Sequence, residues 1–208
     1  MEQKIVIVDY GMGNVGSIRN MLKHIGFRAI ISGTLEDIRN ADKLILSGVG
    51  AFDSAMNKIS GTGLLDALNI KVMEEKTPLL GICLGMQLFS HASEEGLCRG
   101  LGWIDATTVR FSFTGPASRL RVPHMGWNTL SIRNPHPLFQ GMPEDMRFYF
   151  VHSYHVQGAQ KDMTLATTHY GYDFTSVIAK DNICGVQFHP EKSHKFGMKL
   201  LNNFINLM

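Results

Sequence analysis

The chain has 208 residues, of which 44% are hydrophobic and 18% are charged. This composition is too apolar for a disordered chain, and the length predicts one compact domain whose core needs no disulfide for stability. The formal net charge is +2, from 20 basic and 18 acidic residues spread along the chain. Because no long run of like charges occurs, a nucleic-acid-binding arm is not expected.

The cysteines and the N-terminal segment bear on the compartment. Cys83, Cys98 and Cys184 are odd in number and widely spaced, which fits neither a disulfide framework nor a CxxC zinc site. The apolar run at residues 5–8 is too short for a signal-peptide core or a membrane span. The sequence therefore predicts a cytoplasmic protein that holds no metal and does not associate with a membrane.

In the first half of the chain, short apolar runs alternate with helical periodicity. The runs, bounded by turn-forming residues, predict buried strands, and the segments at residues 15–25 and 64–73 predict helices. This alternation indicates a parallel sheet flanked by helices. The predicted strands are residues 5–8, 27–31, 43–46 and 79–82.

Further along the chain, from about residue 101 to residue 186, a β-rich alternation predicts an antiparallel extension on one side of the sheet. After Pro190, the apolar residues Phe196, Leu200, Phe204 and Leu207 predict a C-terminal helix with one apolar face. We expect one α/β domain spanning residues 1–208, with an open, mostly parallel sheet. The predicted strands of this half are residues 107–113, 121–122, 129–132, 147–151, 164–168 and 176–179.

The glycines Gly11, Gly13 and Gly16 match the GxGxxG pattern of a dinucleotide site, between a predicted strand and a predicted helix. That fingerprint also requires an acidic residue at the end of the second strand, but residues 27–31 are followed by Ser-Gly-Thr. A tight strand-to-helix turn explains the glycines better than a cofactor does.

Cys83 lies in the segment Gly-Ile-Cys-Leu-Gly, where an apolar strand ends and a helical stretch begins. This is the glycine-framed elbow that exposes a nucleophile at the carboxyl edge of a sheet, with sulfur in place of oxygen. The helix N-terminus behind Cys83 would stabilise a thiolate, and the backbone N–H of Leu84 would face an oxyanion. Cys98 and Cys184 have no such frame and are interpreted as structural.

A thiol nucleophile needs a base and a group that orients the base. His189 follows a predicted strand, and Glu191 comes two residues later, so in an extended segment the carboxylate can reach one imidazole nitrogen. The glycine-rich residues 47–52 end another predicted strand and can present a second oxyanion amide. The sequence therefore predicts a Cys-His-Glu triad, with His152 and His155 as the next candidates for the base.

The segments GICLGMQ (81–87), VQFHPEKS (186–193) and SGVGAF (47–52) resemble the class I, or triad, glutamine amidotransferases, which have a flavodoxin-like fold. The segments DYGMGN (9–14), VPHMGWN (122–128) and FVHSY (150–154) are similar to one branch of that family, the glutaminase subunits of imidazole glycerol phosphate synthases. The resemblance to this branch implies that the glycines at residues 11–16 are a family signature and do not bind a dinucleotide.

The resemblance implies that the chain hydrolyses L-glutamine without a cofactor and delivers the ammonia to a (β/α)₈ cyclase subunit in histidine biosynthesis. It also implies that the two subunits form a heterodimer. It assigns Cys83 as the nucleophile, His189 as the acid and base, and Glu191 as the orienting carboxylate. The other implied residues are Val49 and Leu84 as oxyanion amides, Gly50, Gln87, Glu95, Ser153 and Tyr154 in the glutamine pocket, with Glu94 as an alternative to Glu95, and Tyr149 and Lys192 toward the cyclase.

One position departs from the family pattern, because Ser47 stands where a proline usually precedes Gly-Val-Gly. A sister group with nearly the same motifs supplies ammonia to a synthase that amidinates a sugar in surface-polysaccharide biosynthesis, and the triad does not separate the two. Three other functions compete with these: a dinucleotide-dependent oxidoreductase, a silent scaffold, and a stand-alone γ-glutamyl hydrolase, against which the VPHMGWN segment argues.

Overall fold

The structure, a computed structural model, describes residues 3–208. Its strands are β1 (Ile5–Val8), β2 (Ala29–Ser32), β3 (Lys43–Gly48), β4 (Leu79–Cys83), β5 (Ala92–Ser93), β6 (Thr107–Arg110), β7 (His124–Thr129), β8 (Ser131–Ile132), β9 (Arg147–His152), β10 (Tyr154–Gln157), β11 (Thr164–Tyr170), β12 (Tyr172–Lys180) and β13 (Ile183–Val186). Its α-helices are α1 (Val15–His24), α2 (Leu35–Arg39), α3 (Phe52–Gly61), α4 (Leu64–Asn69), α5 (Leu84–Gln87) and α6 (His194–Leu207). A π-helical turn, Ile70–Glu74, follows α4.

The main sheet has eight strands in the order β2-β1-β3-β4-β13-β12-β11-β8. The strands from β2 to β13 pair in parallel, and β12, β11 and β8 continue the sheet with antiparallel pairing. The predicted parallel half and the antiparallel extension on one side are therefore confirmed. The chain returns to the middle of the sheet at β13, which places the end of β13 beside the end of β4.

Part of the β-rich half does not extend the main sheet, and there the prediction was wrong. Strands β10, β6 and β5 form one small sheet, and β7 pairs antiparallel with β9 in another. Residues 121–122 form no strand, since the chain bends before Pro123, which has no N–H for a ladder. Alternation of apolar residues shows which side chains are buried but not which strand is the partner.

Two apolar layers cover the two faces of the main sheet. Along β1, Ile5 and Ile7 belong to the layer that packs with α1 and α6, whereas Val6 and Val8 belong to the layer that packs with α2, α3 and α4. Burial on both faces explains why the strand reads as an uninterrupted apolar run. In α6, Phe196, Leu200 and Phe204 are buried as predicted, but Leu207 is 42% exposed.

Among residues 3–208, no helix has both the length and the apolar character needed to cross a bilayer. The longest helix, α6, instead packs closely on the turn that precedes it. A Cβ on Gly197 would overlap with the backbone carbonyl of Pro190, and the N–H of Gly197 donates to the Ser193 carbonyl at 3.1 Å. Glycine at this position therefore sets how closely α6 approaches the turn Pro190–Lys192.

We predict that Gly197→Ala lowers the free energy of unfolding by about 1–3 kcal/mol, because the added methyl group must displace backbone rather than a flexible side chain. Gly61→Ala is the matched control, since Gly61 also lies in a helix but has open space around its Cα. The control should be neutral or up to about 1 kcal/mol more stable. Urea unfolding of both variants tests this, and equal effects would contradict it.

Candidate active site

Cys83 is the last residue of β4 and directly precedes α5. Its φ of 55° and ψ of −110° lie in a region that a non-glycine residue rarely occupies, at a cost of about 1–3 kcal/mol. A Cβ on Gly81 would overlap with the Phe89 ring, and one on Gly85 would overlap with the Leu46 carbonyl. The two glycines thus allow the sharp turn that the sequence predicted around Cys83.

His189 and Glu191 form a buried pair. Nδ1 of His189 lies 2.8 Å from Oε1 of Glu191, and the side chains are 2% and 0% exposed. The predicted partnership is present, but Glu191 lies in a 3₁₀ turn, Pro190–Lys192, and not in an extended segment. Pro190 begins this turn because its fixed φ suits a first helical position.

The backbone of His189 is held on both sides. Its N–H donates to the Tyr149 carbonyl at 2.9 Å, and its carbonyl accepts from the Ser193 hydroxyl at 2.6 Å. The Ser193 hydroxyl oxygen in turn accepts from the Tyr149 N–H at 3.0 Å. The backbone that carries the imidazole is therefore anchored to the middle of β9 as well as to its own turn.

The surroundings of His189 favour its charged form. Burial by itself lowers the pKa of the imidazole, but the interactions with Cys83 and Glu191 outweigh burial and raise the pKa of His189 to about 10. Nε2 has no hydrogen-bond partner among residues 3–208, whereas Nδ1 is held by the carboxylate. This arrangement suits an imidazolium between a thiolate and a carboxylate.

The other two cysteines have different surroundings. Cys184 is fully buried, and burial raises the pKa of its thiol to about 12, so it stays protonated at neutral pH. Burial and the neighbouring Asp53 also raise the pKa of Cys98, which is only partly buried. Of the three thiols, Cys83 is the one that shares a cavity with a histidine.

Nine of the twelve predicted site residues line one cavity of about 400 Å³, a size suited to a small ligand. Glu191 lies behind His189, and the predicted interface residues Tyr149 and Lys192 lie outside the cavity. The cavity is lined by Val49, Gly50, Cys83, Leu84, Gln87, Glu95, Pro123, Val151, His152, Ser153, Tyr154 and His189.

Glu95 and Glu94 have separate positions. Glu95 lines the cavity, and its Oε2 accepts a hydrogen bond from the Phe52 N–H at 2.8 Å, at the start of α3. Oε2 of Glu94 accepts from the Arg110 N–H at 2.7 Å, and Glu94 faces a different cavity. The structure therefore places Glu95, and not Glu94, on the same wall as the nucleophile.

The amide of Gln87 has one orientation. Its Nε2 donates to the Tyr154 carbonyl at 2.9 Å and to Oε1 of Gln187 at 3.1 Å, which uses both of its N–H groups. Oε1 of Gln87 is consequently the atom that remains for a ligand. Because this oxygen can only accept a hydrogen bond, Gln87 favours a ligand that presents an N–H donor.

The loop after β3 lies beside the nucleophile, since Gly48 pairs with Cys83 in the parallel ladder. The segment 9–14 packs against this loop: a Cβ on Gly13 would come within 3.0 Å of the Ser47 carbonyl, and one on Gly50 within 2.8 Å of Met12. Close packing and a φ of 104° thus account for Gly13, and a φ of 78° accounts for Gly11, whereas Gly16 has open space around it. Val49, at the tip, is 45% exposed.

A chain of hydrogen bonds that the sequence did not indicate reaches the cavity wall at His152 and Tyr154. His152 lies between His124, whose Nδ1 is 3.0 Å from its Nε2, and the Tyr154 carbonyl, 2.8 Å from its Nδ1. Burial holds the pKa of His152 well below its usual range and lowers the pKa of His124 to about 4. With both rings neutral, Nδ1 of His152 carries its proton and Nε2 accepts from His124. The motifs VPHMGWN and FVHSY contain these residues, but no spacing rule pairs them.

A partly apolar surface adjoins the site. Nζ of Lys192 lies 5.7 Å from the centre of the Tyr149 ring, and Trp127 stacks on His194 at 5.6 Å. Trp127 is 44% exposed and Met125 is 61% exposed. The predicted interface residues Tyr149 and Lys192 therefore lie together, and Tyr149 belongs to β9, the strand that anchors His189. In the described part of the chain, no group of three or more candidate ligands is placed to bind a metal ion.

Comparisons with known proteins give the following likenesses. The model of the family "Glutamine amidotransferase class-I" matches residues 6–207. The chain is 57% identical to imidazole glycerol phosphate synthase subunit HisH 2 of Methanococcus maripaludis, covering 97% of this chain and 98% of that one. It is 50% identical to the protein of the same name from Pseudomonas aeruginosa, covering 98% and 100%. A solved structure, that of PurLQS from Thermotoga maritima, shares the fold, with TM-score 0.73, 16% identity and 100% and 99% coverage.

We predict that Glu191→Gln lowers the pKa of His189 from about 10, because the carboxylate that favours the imidazolium is gone. The imidazolium should then lose its proton at a lower pH than in the wild type. Titration of the imidazole signals by NMR measures this, and the His189 signal is identified by its absence in His189→Asn. An unchanged pKa in Glu191→Gln would contradict the role of the carboxylate.

Proposed function

The chain belongs to the class I glutamine amidotransferase family, and from that premise we propose that it hydrolyses L-glutamine and passes the ammonia to a (β/α)₈ cyclase subunit of imidazole glycerol phosphate synthase. The observation that carries the proposal is that one cavity holds Cys83, His189 and the segments bearing both candidate oxyanion amides. The proposal treats residues 1–208 as one glutaminase domain, acting in the cytoplasm as part of a heterodimer.

The first half of the proposed reaction forms a thioester. Cys83 reacts as the thiolate, with its proton held by the His189 imidazolium, and the sulfur attacks the side-chain amide carbon of glutamine. The tetrahedral oxyanion accepts hydrogen bonds from the N–H groups of Val49 and Leu84. His189 then gives the proton to the leaving nitrogen, and ammonia departs as the carbonyl re-forms.

The second half hydrolyses the thioester. His189 removes a proton from water, and the hydroxide attacks the thioester carbon. Collapse of the second tetrahedral intermediate releases glutamate and the Cys83 thiolate, which again lies beside the His189 imidazolium. Glu191 keeps the imidazole in one tautomer and orientation during both halves, through its 2.8 Å contact with Nδ1.

The polar groups of the cavity complement glutamine. The carboxylate of Glu95 offers a negative charge to the α-ammonium group, and Oε1 of Gln87 offers an acceptor to a substrate N–H. Ser153, Tyr154 and Gly50 line the rest of the proposed pocket. This combination favours an amino acid with a side-chain amide over an uncharged amide.

The identity of the partner is inferred from the relatives, and its docking place from the exposed surface. The two relatives are subunits of imidazole glycerol phosphate synthase by name, and we place the cyclase against Tyr149, Lys192 and the exposed Trp127. A second candidate is delivery of ammonia to a sugar amidotransferase, which would use the same triad in the same cavity. Assay of the chain with each synthase tests the acceptor, because only the true partner should form product from glutamine.

We predict that Cys83→Ala abolishes glutamine hydrolysis and leaves partner binding intact. The change removes the nucleophile but keeps Gly81 and Gly85, which shape the elbow. Product formation from external ammonium salts should survive, because only the glutaminase step is lost. Assays with glutamine and with ammonium separate the two steps, and hydrolysis near the wild-type rate would refute the triad.

Regulation by the partner gives a second prediction. The glycines around Val49 allow its peptide to point toward or away from the oxyanion, and one missing donor costs about 10²- to 10³-fold in rate. We therefore expect slow hydrolysis by the isolated chain, and faster hydrolysis when a substrate-loaded partner favours the active conformer. Ser47→Pro should lower the basal rate, because proline restricts the strand that leads into the loop.

The measurement is kcat for glutamine in the isolated chain, the complex and the complex with acceptor substrate. Equal rates in all three would contradict control by the partner. A basal rate unchanged by Ser47→Pro would contradict the part given to that residue, without affecting the triad.

A further inference from the structure

Gln187 is a fully buried polar residue to which the proposed mechanism gives no role. It directly follows β13, whose parallel register with β4 pairs Val186 with Ile82. The next step of that register places Gln187 beside Cys83. The N–H of Gln187 donates to the Ser176 carbonyl at 2.9 Å, which fixes its backbone to β12 as well.

The hydrogen bonds around Gln187 give its amide one orientation. Because a carbonyl can only accept, the Tyr154 carbonyl fixes Nε2 of Gln87 as a donor, and this donor lies 3.1 Å from Oε1 of Gln187. Nε2 of Gln187 therefore faces the other way, and it lies 3.8 Å from the Cys83 sulfur. The reverse orientation would place two NH₂ groups against each other and an oxygen against the sulfur.

Gln187 contacts the Cys83 sulfur without being part of the lining of the cavity that Cys83, Gln87 and His189 share. Its N–H can thus remain on the sulfur while a substrate occupies the cavity. A buried thiolate is costly unless N–H donors solvate it, and hydrogen bonds to a charged group are stronger than neutral ones.

We infer that Gln187 is a positioning residue for the nucleophile: its Nε2 donates to the Cys83 sulfur while its Oε1 orients the amide of Gln87. The inference deepens the proposed function, on which it rests. One side chain then links the reacting sulfur to the acceptor that Gln87 presents to the substrate. Loss of the amide should affect both the reactivity of the sulfur and the binding of glutamine.

The test uses Gln187→Met, which keeps the length of the side chain and removes its polar groups, and Gln187→Glu, which when ionised offers only acceptors to the sulfur. Asn203→Leu is the matched control: it also replaces a buried amide, one that donates to the Leu138 and Gln140 carbonyls, away from the cavity. All variants carry Cys98→Ser, so that the partly exposed second thiol does not react.

Two quantities are measured: the rate at which iodoacetamide alkylates Cys83 at one near-neutral pH, and kcat and KM for glutamine in the complex. Loss of a hydrogen bond to a charged group corresponds to a decrease of about 10- to 100-fold, and we expect this for alkylation and kcat in both Gln187 variants. KM should rise in Gln187→Met, because Gln87 loses one of the two acceptors that hold its amide, whereas the carboxylate of Gln187→Glu can still accept from Gln87. Asn203→Leu should lower stability and leave the alkylation rate within about twofold.

Folded Gln187 variants that are alkylated at the wild-type rate would overturn the inference, as would equal slowing by Asn203→Leu. If Gln187→Met does not fold, Gln187→Glu decides by the same criterion, and melting curves establish which variants are folded. Alkylation of Cys83 needs no glutamine. A wild type that never hydrolyses glutamine would therefore refute the proposed function, while the alkylation rates would still test the contact between Gln187 and Cys83.

Discussion

The parallel register of β3, β4 and β13 is the constraint on which the rest of the site depends. It places Gly48 beside Cys83 and pairs Val186 with Ile82, one residue before Gln187 and Cys83 in the two strands. A slip of one residue would turn each of these side chains to the opposite face of the sheet. Burial of both faces by the two apolar layers prevents such a slip, because every shifted strand would lose its packing. The packing of the core thus fixes the relative positions of the site residues.

Buried histidines in and around the site have pKa values that are shifted in opposite directions. His124, His152 and His155 are buried without a carboxylate in contact, and burial lowers the pKa of each. His189 is buried as deeply, but its contact with Glu191 and its proximity to Cys83 raise its pKa. Only His189 combines a raised pKa with a place in the cavity, so His152 and His155 are poor substitutes as a base. The neutral rings serve instead to hold the Tyr154 segment through directed hydrogen bonds.

The sequence was most informative where chemistry is local. Three features could each be recognised from a few consecutive residues: the glycines flanking Cys83, the two-residue step from His189 to Glu191, and the loop at Gly48. The structure brings these segments together at one cavity. The contacts of Gln187 with Cys83 and of His124 with His152 join residues far apart in the chain, and they depend on strand pairing. For the same reason the main sheet was predicted and the β7–β9 pair was not, since alternation defines a buried face without naming the neighbouring strand.

In the proposed complex, the surface that meets the cyclase is continuous with the backbone that holds the base. Tyr149 contributes its ring to the exposed face, under Lys192, while its carbonyl accepts from the His189 N–H. Its own N–H reaches the Ser193 hydroxyl, which donates to the His189 carbonyl. A partner that presses on the Tyr149 ring therefore acts on β9 and, through two hydrogen bonds, on the turn that carries His189 and Glu191. In the proposed complex, this strand would connect docking with the position of the base, separately from the loop at Val49.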